Sequence, residues 1–115
     1  MTDSENIVKQ VRNSGNSIVV DVTGEVDLQR SGELRTVLMA QIASKPEKLI
    51  VNLEQVSYMD SSGVATLVEA LQRVRRGKGK LVLIKLTPRV LNVFEIARLD
   101  TIFTIHDSEQ EALEA

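Results

Sequence analysis

The sequence predicts an α/β fold: a mixed, mostly parallel sheet with an antiparallel first strand and about four helices packed on it. Three observations carry this. Short β-branched runs alternate along the chain with stretches of helical spacing, and strands separated by helices pair in parallel through crossovers. The first two runs are the exception. Only Asn13-Ser14-Gly15-Asn16 separates them, which is turn chemistry and too short for a crossover, so they pair antiparallel. Finally, 43% of the 115 residues are hydrophobic but only 3% are aromatic. That is enough for one core, and it rests on Val, Ile and Leu.

Ile7 to Arg12 alternates weakly and reads as the first strand, and Ile18-Val19-Val20-Asp21-Val22 as the second. Gly24 then lets the chain leave the sheet in a conformation other residues resist. Asp27 caps or precedes the next helix, or Ser31 caps it. Leu34, Val37, Leu38 and Ile42 keep helical spacing, and Ser44-Lys45-Pro46 ends that helix because a residue before proline avoids the α region. Leu49-Ile50-Val51-Asn52-Leu53 is apolar and β-branched, a strand covered on both faces. From there, Val64, Leu67, Val68, Leu71 and Val74 line one side of a helix, with Thr66, Glu69, Gln72, Arg73 and Arg76 opposite. Gly77-Lys78-Gly79 stops it. Lys80 to Leu86 is the next strand. Thr87 caps a further helix with Pro88 at its first position, where the missing N–H costs nothing, and Val90, Leu91, Phe94 and Ala97 face inward. Ile102 to Ile105 is a short last strand. Ser108-Glu109-Gln110-Glu111 has capping-box spacing and starts a terminal helix. No internal boundary or repeat shows. The reading is one domain over 1–115 with an ordered core at about 7–113.

Composition narrows the function. Net charge is -2, which disfavours a general nucleic-acid binder. The basic run Arg73, Arg75, Arg76, Lys78 and Lys80 is better read as cations favoured at a helix C-terminus, with no aromatic platform to stack bases. With no cysteine and one histidine, His106, neither a thiolate nor a nitrogen-rich metal site can be built. His106 is read as a lone surface histidine. A serine hydrolase lacks its Gly-x-Ser-x-Gly elbow around Ser61 or Ser62, and no phosphate-cradling glycine loop appears. No apolar run approaches membrane-spanning length, and the polar, acidic start is wrong for a secretory signal, so a cytoplasmic location is expected. The expectation is a protein with no catalytic residues, no metal and no cofactor.

The stretch that organises the rest is Ser57-Tyr58-Met59-Asp60-Ser61-Ser62-Gly63-Val64, between the central strand and the amphipathic helix. One carboxylate, two hydroxyls and a glycine are what a helix start wants, because its first N–H groups lack partners. Asp60 or Ser61 can simply cap the helix. The same position also favours negative charge, so a serine there can carry a phosphate. Tyr58 and Met59 precede the cap, where the chain should reach the surface. Either one of them tucks into the core, or both form an apolar rim suited to a partner.

Gly24-Glu25-Val26-Asp27, Met59-Asp60-Ser61-Ser62-Gly63-Val64 and Thr87-Pro88-Arg89-Val90 to Phe94 stand in the order seen in anti-sigma factor antagonists. The chain resembles these stand-alone STAS domain proteins from about Ile7 to Leu113. The resemblance implies a STAS-type fold with phosphorylation at Ser61 by an anti-sigma factor that is also a serine kinase. Asp27, Asp60, Ser62 and Gly63 would be the neighbours of that switch, with partner contacts from Tyr58, Met59 and Val64. It further implies that the dephosphorylated form binds the anti-sigma factor and frees sigma factor, and that a metal-dependent serine phosphatase resets the switch. Neither direct nucleic-acid nor membrane contact is implied, and the chain itself is not an enzyme. A rival reading makes it a STAS subunit of a larger assembly, a lipid-transport complex or a stress-signalling scaffold, with Ser61 as a plain cap. A weaker third is a small hydrolase using Ser61 or His106.

Overall fold

The computed structural model describes residues 6–115. Five strands form one sheet in chain order: β1 (Val8–Ser14), β2 (Ser17–Val26), β3 (Lys48–Met59), β4 (Lys80–Ile84) and β5 (Thr104–His106). β1 and β2 are antiparallel and every later pair is parallel, as the lengths of the connections require. The helices are α1 (Ser31–Ala43), α2 (Ser61–Arg76), α3 (Pro88–Ile96) and α4 (Glu109–Glu114). A 3₁₀ turn, Leu99–Thr101, leads into β5.

Each β-branched strand contributes alternate residues to two faces. Val20, Val22, Leu49, Val51, Leu81 and Leu83 turn to one side, where they pack with Leu34 and Leu38 of α1, Leu67 and Leu71 of α2, and Val90 and Phe94 of α3. Phe94 meets Phe103 edge to face, ring centroids 5.3 Å apart. Val19, Ile50, Val82 and Ile84 turn to the other side, which Ala112 and Leu113 of α4 cover. The remainder of that second face is polar: the Arg12 guanidinium lies between Asp21 and Glu109, and Asn52 donates to Asp21.

Several element bounds differ from the sequence reading. β1 begins at Val8 and runs on to Ser14. β2 does not leave the sheet at Gly24. Gly24 does take φ +87°, but it spends that freedom on an irregularity in the β2–β3 ladder, and pairing continues to Val26. β3 extends to Met59 because its second half is bulged rather than interrupted. Neither Asp27 nor Ser31 is the cap residue of α1. That position belongs to Arg30, whose side chain caps nothing, and Asp27 instead accepts from the Arg30 N–H at 3.1 Å. Thr66 is buried rather than exposed, its hydroxyl turned back onto the Ser62 carbonyl. Ala97 is exposed beyond the end of α3. Ile102 and Phe103 precede β5. At the end of α2 the left-handed residue is Lys78, not a glycine. Thr87 and Ser108 cap α3 and α4 as expected.

Candidate phosphorylation and docking site

The extended ends of β2 and β3 deliver two segments side by side. Val26 pairs with Met59 at the last rung, and the Asp60 N–H donates to the Val26 carbonyl at 3.2 Å. The turn carrying Asp27 and Leu28 therefore lies against the start of α2. Gly63 makes this approach possible: a β-carbon there would fall 2.7 Å from Met59 Cγ and 2.8 Å from Val26 Cγ1, inside contact distance.

Asp60 is the N-cap of α2. Its Oδ1 accepts from the N–H of Ser62 at 2.9 Å and of Gly63 at 3.3 Å, and from the Ser62 hydroxyl. The Ser62 hydroxyl above all, then the N–H groups of Gly63, Ser62 and Leu28, hold this carboxyl below the usual carboxylate range. The first donors of the helix are thus already taken by a resident anion. Ser61, one residue on, is exposed at the first helical position, and its hydroxyl makes no hydrogen bond among the described residues. The two serines are chemically distinct. Ser62 Oγ is half-buried and tied to Asp60; Ser61 Oγ is accessible.

A phosphate on Ser61 would sit beside the ionised Asp60 rather than in a free ring of N–H groups. Like charges that close disfavour one another and draw water. Asp27 adds a third negative group to this end, half-exposed and 3.7 Å from Arg30.

The structure separates the expected rim. Tyr58 is 39% exposed, but Met59 is 1% exposed and packs beneath Gly63, and Val64 is 9% exposed on the core side of α2. Met59 and Val64 therefore support the site from below and offer no partner surface. Leu28, which the sequence reading passed over, is 78% exposed in the turn whose N–H reaches Asp60. Its signal was a lone leucine in the polar stretch Asp27-Leu28-Gln29-Arg30, outside any periodic run. Leu28, in the turn that reaches Asp60, and Tyr58, three residues before Ser61 in the chain, are exposed large apolar side chains flanking this segment. His106 lies in β5, 3.9 Å from Glu111, and forms no constellation with either serine. No group of His, Asp or Glu among the described residues could hold a metal ion, and no helix among them is long and apolar enough to cross a membrane.

The family profile described as the STAS domain matches residues 8–112. The anti-sigma-B factor antagonist of Bacillus subtilis (strain 168) is 34% identical over 87% of this chain and 91% of its own. The same-named protein of Listeria monocytogenes is 33% identical over 82% of each. Among solved structures, the anti-sigma factor antagonist SpoIIAA in its unphosphorylated form superposes with a TM-score of 0.79 at 25% identity, covering 91% of this chain and 92% of that one. The chain belongs to the STAS domain family, alongside the anti-sigma factor antagonists.

Proposed function

We propose that this protein is an anti-sigma factor antagonist whose binding is switched at Ser61. In the unmodified state, Leu28 and Tyr58 dock on an anti-sigma factor that is also the kinase for Ser61. Phosphorylation adds about -1.5 to -2 charges beside Asp60 and Asp27, which keeps water in the contact and releases the partner. A hundredfold loss of affinity needs only about 2.7 kcal/mol, within reach of one or two lost apolar contacts. A serine phosphatase resets the cycle. The chain contributes a surface and a phosphoacceptor, and no catalytic group.

The observation that carries this reading is the contrast between the accessible Ser61 hydroxyl and the engaged Ser62 hydroxyl on either side of one cap. The likeness to named antagonists supports the partner class. Phosphopeptide mapping after incubation with the cognate kinase and ATP tests it. Modification confined to Ser61 and abolished by Ser61→Ala is expected. Phosphate on Ser62, or none, overturns the switch, and co-purification with transporter subunits in place of a kinase would favour the larger-assembly reading.

A further inference from the structure

The basic run at the end of α2 has no part in the switch, yet the fold gives it a second wall. α1 and α2 lie side by side, and both end far from Ser61; the 16 residues of α2 span about 24 Å. Between their C-terminal ends lies a groove of about 330 Å³. Ile42, Pro46 and Val74 give it an apolar lining, and Lys45, Arg73 and Arg76 are its charged groups. No carboxylate lines it.

These cations are under-compensated. Arg73 is 3.3 Å from Glu69, but the same carboxylate pairs with Arg35 at 2.8 Å, so one anion serves two guanidiniums. Lys45 and Arg76 enter no ion pair among the described residues. Glu47, the acid closest to Lys45 along the chain, accepts from Asn16. Two helix ends supply only about -0.5 each, less than the three cations. Lys45 at the end of α1 and Lys78 at the end of α2 each take a left-handed backbone, φ 55° and 67°. Glycine adopts that conformation at lower cost, and Gly77 stands next to Lys78 without using it, at φ -86°.

The geometry points to this groove as a docking site for an acidic segment of a partner protein that carries an apolar side chain. The carboxylates would meet Lys45, Arg73 and Arg76, and the apolar group would enter between Ile42, Pro46 and Val74. A membrane surface fits less well, because the apolar atoms line a recess rather than standing proud. A nucleic acid fits less well, because no aromatic residue lines the groove to stack a base. The site is independent of the Ser61 switch and stands or falls separately.

The test titrates the isotope-labelled full chain with a soluble peptide of alternating glutamate and leucine and follows amide shifts. Parallel arms use the same length of glutamate and serine, phosphatidylserine vesicles, and a single-stranded oligonucleotide. The expected result is saturable shifts over 42–45 and 73–77 with the leucine peptide. Binding should weaken at least about tenfold in Lys45→Glu/Arg76→Glu and stay unchanged in Ser61→Asp. Both reversed side chains are exposed; should that variant unfold, Lys45→Gln/Arg76→Gln gives the same readout. No shifts in these two stretches, equal binding by the charge-altered chain, equal binding of the serine peptide, or preference for vesicles or oligonucleotide overturns the proposal.

Discussion

At the scale of single residues, the site depends on one small side chain and one carboxylate. Gly63 has no room for a methyl group between Met59 and Val26. Gly63→Ala should therefore cost about 1–3 kcal/mol through overpacking, read as a lower urea midpoint at an unchanged slope. An unchanged midpoint would show that the α2 start can back away from β2. Asp60→Ala removes the acceptor for the Ser62 and Gly63 N–H groups at the start of α2 and should cost about 1 kcal/mol, measured the same way. Asp60 as a cap was legible, because acid, serine and glycine cluster where a strand gives way to helical spacing. Met59 was not. Leu53, Val56 and Met59 recur every third residue, so the alternation that marks a strand disappears where β3 bulges, and the stretch reads as surface loop. Leu28 escaped for the opposite reason: one leucine in a polar turn has no period to betray it.

At the scale of elements, α4 shows what sequence spacing cannot convey. Its start was readable from Ser108, which caps it. Its anchorage was not, because the anchor is Lys48, at the first rung of β3 and distant along the chain. The Lys48 ammonium donates to the carbonyls of Ala112 at 2.6 Å, Leu113 at 3.1 Å and Ala115 at 2.6 Å, satisfying the end of a helix with little apolar contact of its own. Lys48→Met leaves those carbonyls without their donor. Amide hydrogen exchange over 109–114 should then quicken at least about tenfold, while α1 and α2 keep their protection. Unchanged exchange in α4 would mean that Ala112, Leu113 and the Arg12–Glu109 pair hold it without Lys48.

At the scale of the whole molecule, the polar face joins β1, β2, β3 and α4 through Asp21. The Arg12 guanidinium above all, then Asn52 and Gln10, pull the Asp21 carboxyl from 3.8 down to about 2. A depressed carboxyl stabilises the fold at pH values above its unfolded value, and the gain fades as pH falls through the interval between the two. Its contribution at neutral pH is about 2 kcal/mol. Urea unfolding of wild type and Asp21→Asn should differ by about that much near pH 7 and converge as pH approaches about 2; parallel curves would deny Asp21 this role. Strand direction was legible because connection length decides it. The path by which two irregularities in β3 bring Leu28 beside Asp60 was not, since register is a property of the assembled sheet. The central claim is that charge on one accessible hydroxyl decides docking. Its most direct measurement is calorimetric titration of the chain's anti-sigma factor with unmodified, Ser61→Ala and Ser61-phosphorylated protein. The first two should bind alike and the third at least about a hundredfold more weakly; equal affinity of the phosphorylated form would contradict the account.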